Sequence, residues 1–301
     1  MNLGRSVQPT AALAAATTAL FVPGDQPARY AKALASGADA VVIDLEDAVA
    51  PGKKNEARTA LVAYLSDLWL RQPHILLRIA VRINPLATAG TLDITALNTL
   101  DERIRHAIAG VLVPKSETAE ELDQVDMLLG RSTALTALVE SAEGIEAVGA
   151  IARARGVQRL AFGALDFTAD VGSSDTTLLD HARSRLVIAS AAARIAPPLD
   201  SPNPEFRDAS SVDSGARRAR ALGFGGQLCI HPLQVDIVGA AFTPSDEEVS
   251  WARNVIDAAE NGAVTRLDGV MIDLPVVLRA QALLRRNDDA VRRDTPVRPQ
   301  E

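Results

Sequence analysis

The chain has 301 residues, 48% apolar and 23% charged, with a formal net charge of −7. That suits one barrel-sized domain or two smaller ones around a large core; the acidic balance and 3% aromatic content argue against nucleic acid or an anionic membrane surface as main partner. The single cysteine, Cys229, excludes an intrachain disulfide and a cysteine-rich metal site, so the chain reads as reduced, soluble and cytoplasmic.

At the N-terminus, Arg5 precedes the alanine-rich run 11–20, which has the length of a signal h-region and is too short to span a bilayer. Cleavage there would fall against Leu20-Phe21-Val22-Pro23, needed as a first strand, so residues 1–16 are predicted to be a loose arm. Short β-rich apolar runs then alternate with Ala-, Leu- and charge-rich stretches of helical length. The runs are 19–23, 40–43, 75–83, 110–113, 135–139, 159–165, a poorly defined 187–199, and 226–230. Nearly continuous Val/Ile/Leu runs suit strands covered on both faces, and 26–37, 117–129 and 143–155 read as crossover helices. Strand, helix, strand repeated roughly eight times over roughly 220 residues predicts a parallel (β/α)₈ TIM barrel over residues 17–259. A doubly wound open sheet is the alternative, but no G-x-G-x-x-G follows the first strand. Gly223-Phe224-Gly225-Gly226 precedes a strand and reads as turn chemistry. Ser245-Asp246-Glu247-Glu248 is a capping box that starts a helix toward Ala259. Asn261-Gly262 ends it, and Val270 to Pro275 leads into another helix, giving a small C-terminal helical appendage over 260–285. Residues 286–301, charged and with two prolines, are predicted to be a disordered tail.

The runs end on polar residues. Val42-Ile43 leads into Asp44-Leu45-Glu46-Asp47, Val81 into Arg82, Val113-Pro114 into Lys115, Val139 into Glu140, Gly163-Ala164-Leu165 into Asp166, Leu199 into Asp200 and Ile230 into His231. In a barrel all C-terminal strand ends open onto one face, where active sites are built, so these groups are expected at one mouth. Glu140 and Asp166, one β/α unit apart, offer oxygens to a hard cation such as Mg²⁺; each also reads as a helix cap. Arg82 presents a fork that matches a carboxylate, or else an ion pair to Asp44 or Glu46 that only holds the barrel together. Asp44, Glu46 and Asp47 form either an acidic site wall or a solvated loop. Lys115 is a candidate anion contact or salt bridge, and His231 a structural donor or a site residue. His74, His106 and His181 lack ligand spacing, and Cys229 reads as a small core residue.

Leu20-Phe21-Val22-Pro23-Gly24, the stretch from Gly37 to Val49, Val81-Arg82-Ile83-Asn84, Val113-Pro114-Lys115, Glu140 to Gly144, Gly163 to Gly172, Ile230-His231-Pro232 and Gly269 to Pro275 together resemble the citrate lyase β-subunit-like (CitE-like) family of the HpcH/HpaI aldolase superfamily. The match is collinear over nearly the whole chain. The resemblance implies a (β/α)₈ barrel, Mg²⁺, and lyase or Claisen-type chemistry on acyl thioesters of citryl, malyl or citramalyl type. It favours Glu140 and Asp166 as metal ligands. Arg82 is then expected to clamp a substrate carboxylate or the thioester oxygen, with Asp44 and Lys115 as further candidate substrate-binding residues, Lys115 toward the CoA phosphates. Glu46 and Asp47 are further candidate catalytic groups. The pyruvate-aldolase branch carries a Glu-His pair after its second strand; Glu46-Asp47, with no nearby histidine, counts against that branch. Many relatives have an arginine where this chain has Thr17, which bears on substrate choice if that arginine holds substrate. Relatives with a Met-Ile-Asp-x-Pro segment place its aspartate over a neighbouring subunit's barrel. By resemblance Asp273 is an acid/base in trans within a homotrimer or a pair of trimers; by position it is an ordinary N-cap. The expected function is a Mg²⁺-dependent CoA-thioester lyase. The alternatives are a citrate lyase β subunit acting on citryl-acyl carrier protein and a non-catalytic CoA-ester-binding barrel.

Overall fold

Apolar runs without alternation must be covered on both faces, and parallel strands flanked by helices satisfy that demand. A computed structural model of the chain describes residues 12–130, 133–260, 266–267 and 270–294. Its strands are β1 Thr18–Pro23, β2 Ala40–Asp44, β3 Ile79–Arg82, β4 Gly110–Val113, β5 Leu135–Val139, β6 Val157–Phe162, β7 Ala196–Asp200 and β8 Gly226–Cys229. They pair in sequence order, all parallel, and β8 returns to β1 to close the (β/α)₈ barrel. Among the described residues no helix is long and apolar enough to cross a membrane.

The two-residue period of the strands decides what enters the barrel. Ala19, Val42, Ala80, Leu112, Leu138, Ala161, Leu199 and Leu228 share one buried cluster at the barrel axis. Two residues further along each strand the chain reaches the mouth, with Phe21, Asp44, Arg82, Pro114, Glu140, Gly163, Ser201 and Ile230 in the inward phase. Asp200 and Cys229 fall in the outward phase. At the opposite end Leu13 and Ala16 complete the inner cluster, and the short helix Ala12–Ala15 closes the N-terminal end. Arg159, on β6, lies buried beneath it and donates to the carbonyls of Leu13 (2.9 Å), Ala16 (2.5 Å) and Pro197 (2.7 Å). Residues 12–16 are therefore packed structure and not the tail end of a loose arm; residues 1–11 lie outside the described residues.

Three strands differ from the apolar runs that announced them: β6 is Val157–Phe162 where the run was 159–165, and Ala164 and Leu165 open the next helix. Residues 73–78 form a 3₁₀ segment, Pro73–Arg78, and only Ile79–Arg82 is strand. Residues 187–193 belong to the helix Thr176–Ala193, which ends at Arg194 in the left-handed region (φ 58°). β7 follows with Pro197 and Pro198 inside it. Neither proline has an N–H to give, and the β6–β7 register shifts between the pairs Arg159↔Ala196 and Ala161↔Leu199.

The chain divides into two compact units, residues 1–239 and 240–301. In the second, the helices Asp246–Glu260 and Leu274–Asp294 pack through Ala252, Val255, Ala280 and Leu283, flanked by Trp251, Ile256, Ile272 and Val276. The helix after Ser245 therefore belongs with the appendage and not, as the 17–259 boundary has it, with the barrel. The capping box forms, with Ser245 N donating to Glu248 Oε2 (2.9 Å) and Glu248 N to Ser245 Oγ (3.2 Å). The last helix runs to Asp294, so residues 286–294 are helical where their composition suggested disorder. Ala290 is buried seven positions after Leu283, a spacing two helical turns long that an average over charged residues conceals. Residues 295–301 lie outside the described residues.

Candidate active site

Asp44 ends β2 fully buried, and its carboxylate organises the loop that follows. Oδ1 accepts from Glu46 N (2.9 Å) and Oδ2 from Ala48 N (3.0 Å), turning the chain so that Glu46 returns to the mouth. The same oxygens take a two-pronged contact from Arg82 at the end of neighbouring β3, Nε to Oδ1 at 2.7 Å and Nη2 to Oδ2 at 2.6 Å. Arg82 Nη1 lies 2.8 Å from Glu46 Oε2, within ion-pair range but without an N–H aimed at that oxygen. The guanidinium also rests on the Phe21 ring, 4.7 Å from its centroid. The ion pairs weighed for Arg82 are present, yet the fork to Asp44 uses two of its five N–H donors and leaves three. Burial by itself lowers the guanidinium pKa; Asp44, then Glu46 and Asp47, more than offset it, so Arg82 stays charged.

Glu140 follows β5 directly, in the inward phase. The helix that follows, Ala142–Ile151, is capped by Ser141, whose Oγ accepts from Gly144 N at 3.1 Å. Glu140 is thereby not consumed as a cap. Asp166 sits inside the first turn of the helix Ala164–Val171, whose N-cap is Gly163, so it is not the cap either. Glu140 Oε1 accepts from Lys115 N at 2.8 Å. To make that contact Lys115 adopts φ 48°, a left-handed conformation that strains a side-chain-bearing residue. A Cβ on Gly163 would stand 2.5 Å from Glu140 Oε2, so the absence of a side chain there makes the seat for this carboxylate.

Electrostatically the mouth is crowded. Burial, followed by the charges of Glu46 and Asp166, drives the Glu140 carboxyl up to about 8 against the relief given by Lys115 N. Burial, with Asp47 and Asp44 adding to it against the pull of Arg82, drives Glu46 up to about 7. Asp47 is exposed, and the exposed Lys115 side chain acts on Glu46 through its field alone. Among the described residues no group of three or more His, Cys, Asp or Glu side chains forms a metal cage. Two acidic groups that repel each other, Glu140 and Asp166, suit a hard cation that keeps waters or ligand oxygens in its other positions.

The structure gives local partners to four further residues singled out in the sequence. Asp200 does not reach the mouth: it faces outward and is bridged by Arg183 Nε at 2.9 Å from the surrounding helix. His231 is half-buried, stacks on Phe206 (4.5 Å between centroids) and accepts from Leu233 N through Nδ1 (3.2 Å), a loop-building role. Thr17 is at the N-terminal end of β1, where Thr17 N donates to Asp39 Oδ2 (2.8 Å), so its departure from the relatives' arginine does not touch the mouth. Asp273 lies in the second unit, exposed, and its Oδ1 accepts from Val276 N (3.2 Å) as the N-cap of the last helix. Sequence reasoning passed over Gly163, Phe21 and Asn84. All three stand in quoted segments, and the inward phase of their strands was the signal that marks the first two.

The family model for HpcH/HpaI aldolase/citrate lyase matches residues 17–232, a span that contains all eight barrel strands. The chain belongs to the HpcH/HpaI aldolase/citrate lyase family. Among its relatives, a citrate lyase subunit beta-like protein of Mycobacterium tuberculosis is 37% identical over 282 residues, covering 90% of this chain and 95% of the relative. An L-malyl-CoA/beta-methylmalyl-CoA lyase of Cereibacter sphaeroides is 30% identical over 302 residues, covering 88% and 92%. The crystal structure of CitE from Mycobacterium tuberculosis with magnesium, acetoacetate and coenzyme A superposes with a TM-score of 0.76 at 33% identity, covering 91% of this chain and 98% of that one. The HpcH/HpaI assignment rests on the barrel; the residues 240–301 lie beyond the matched span.

Proposed function

We propose that the protein is a Mg²⁺-dependent carbon–carbon lyase acting on the CoA thioester of a short hydroxy-dicarboxylic or hydroxy-tricarboxylic acid, of malyl, citramalyl or citryl type. The observation that carries this reading is the gathering of Glu46, Glu140 and Asp166 beside the Arg82 guanidinium, where burial first and the neighbouring carboxylates second raise Glu140 to about 8. Such a cluster is relieved by a bound divalent cation. The relatives named as malyl-CoA lyase and citrate lyase subunit beta, and the magnesium-bound CitE, support the assignment.

Glu140 and Asp166 would hold Mg²⁺, which supplies positive charge to the oxygens of the oxo-acid half. Arg82 turns its remaining N–H donors to a substrate carboxylate or to the thioester oxygen, where negative charge develops as the bond breaks. Glu46, near neutrality at about 7, has the affinity to accept the β-hydroxyl proton, with Asp47 adjusting its charge. As that proton leaves, the hydroxyl carbon becomes the carbonyl of an oxo acid. The electrons of the broken C–C bond pass to the thioester enolate, which is protonated at carbon to an acetyl-CoA-type product. We assign that last proton to Asp273 of a neighbouring copy in a homotrimer or a pair of trimers. Lys115, on the rim, and Asp44, which sets the angle of Arg82, complete the substrate-binding set.

The test is incubation with malyl-, citramalyl-, β-methylmalyl- and citryl-CoA, with Mg²⁺ and with EDTA. Cleavage of at least one thioester, abolished by EDTA, is expected; no cleavage of any overturns the proposal. The second reading, a citrate lyase β subunit acting on citryl-acyl carrier protein, is favoured by 31% identity over 289 residues to the citrate lyase subunit beta of Leuconostoc mesenteroides. It predicts turnover of citryl-acyl carrier protein in clear preference to citryl-CoA.

A further inference from the structure

Behind the mouth, the loop after β2 and the end of β3 are tied together by side chains that the mechanism above does not use. Asp93, in the helix Gly90–Asn98, is completely buried. Its Oδ1 accepts from Arg58 Nε at 2.7 Å, and its Oδ2 accepts from both Asn84 N (2.6 Å) and Asn84 Nδ2 (2.7 Å). Asn84 Nδ2 also donates to Leu45 O at 2.8 Å, a carbonyl that Lys54 Nζ holds at 2.7 Å together with Glu46 O at 2.6 Å. Leu45 N in turn donates to Arg82 O at 2.9 Å. Asn84 is two residues beyond Arg82, and Leu45 immediately precedes Glu46. Each link therefore acts on backbone that projects a mouth residue.

A buried ion pair is a weak source of stability, because desolvation cancels much of the Coulombic gain. This one also leaves Arg58 Nη2 buried without a partner. Its worth is geometric: three hydrogen bonds converge on one carboxylate, and through Asn84 they reach the carbonyl beside Glu46. We propose that Asp93 is a positioning residue, which by way of Asn84 and Leu45 sets the spacing between the Arg82 guanidinium and the Glu46 carboxylate. A misplacement of about 1 Å at such a pair can cost about a hundredfold in turnover.

The inference rests on the lyase reading for its kinetic arm only. Asp93→Asn keeps the shape and removes the charge with one acceptor. Turnover is expected to fall at least about tenfold, with KM for the thioester and Mg²⁺ affinity within about twofold of wild type, because Glu140 and Asp166 follow other strands, β5 and β6. Added to Arg82→Lys, the substitution should cost no more than about a further twofold, since both act through one contact. Amide hydrogen exchange over residues 44–49 should accelerate. If Asp93→Asn does not fold, Arg58→Lys, which keeps the charge and loses the Nε contact, carries the same expectations. Turnover within about twofold of wild type despite a lowered Tm, or a fully multiplicative loss in the double variant, overturns the proposal. Should the wild-type protein cleave none of the thioesters, the lyase reading fails separately; unchanged exchange over 44–49 would then overturn the positioning role on its own.

Discussion

The barrel contains an arginine at each end, half-buried Arg82 and fully buried Arg159, and the two are handled in opposite ways. Arg82, at the C-terminal mouth, faces Asp44 at 2.6 Å and Glu46 at 2.8 Å, which together hold its pKa above the ordinary arginine value. Arg159, at the N-terminal end, donates to three carbonyl oxygens, and burial pulls its pKa down to about 9 against the charge of Asp39. The cation among carbonyls spends three of its five N–H donors on main-chain oxygens, and so ties Leu13, Ala16 and Pro197 into a floor. The cation among carboxylates puts two N–H donors on Asp44 and keeps three, in a pocket where burial raises Glu46 to about 7. The same residue type thus closes the barrel at one end and equips it at the other, in line with the division of barrels into a catalytic C-terminal face and a stabilising N-terminal one.

If this contrast is right, the largest effect should come from the mouth. Glu140→Ala or Asp166→Ala should take Mg²⁺-dependent cleavage below detection, while the circular dichroism spectrum and Tm stay close to wild type, because each change relieves repulsion. Unchanged turnover in both variants, with EDTA harmless, would break the comparison at its root. Next in size, Arg82→Lys should lose about a hundredfold in kcat and come close to Arg82→Ala, since the ammonium keeps the charge and loses the fork. A lysine variant with near-wild-type kcat would reduce Arg82 to the structural status of Arg159.

Asp273→Ala should also cost about a hundredfold in turnover if it serves a neighbouring mouth. Capping alone would instead cost on the order of 1 kcal/mol of stability and little activity. Mixing Asp273→Ala with Glu140→Ala chains under subunit exchange decides between them. Recovered activity requires sites that combine an intact barrel with another copy's Asp273, and no recovery after proven exchange removes the shared site.

The pH dependence is smaller. Without cation the Glu140 carboxyl sits at about 8, so below that pH it is protonated and must release a proton before binding metal. Mg²⁺ affinity, followed by calorimetry, should rise by at most about tenfold per pH unit up to about pH 8 and then level off. A flat profile from pH 6 to 9 would show that the proton is not linked to the metal. The smallest effect on turnover belongs to the floor. Arg159→Met should leave kcat within about twofold, yet destabilise the chain by about 1–3 kcal/mol or more through carbonyls left without donors. Denaturant titration checks the second claim, and a large kcat loss without a stability change would erase the distinction between the two ends.

Much of this was present in the amino-acid order. Unalternated apolar runs at βα spacing determine a barrel, because only strands covered on both faces tolerate them. Ionisable residues at successive run ends mark its mouth, and the segments around Asp44, Arg82, Glu140 and Asp166 mark the family. The sequence did not determine phase at every strand: Asp200 follows its run as Asp44 follows its own, yet the proline-shifted register of β7 turns it outward to Arg183. Nor did it separate cap from site for Glu140, a choice made when Ser141 took the helix terminus and Gly163 left space for the carboxylate. Arg159 reads in sequence as a polar break in an apolar strand. Its three carbonyl partners come from residues more than a hundred positions away as well as from the adjacent strand, and no local pattern specifies them. The tertiary structure likewise joined Arg58, Asn84 and Asp93, and it set Glu46 at about 7 and Glu140 at about 8. Burial and through-space charge are properties of the packed barrel, and the order of residues along the chain determines them only once that barrel has closed.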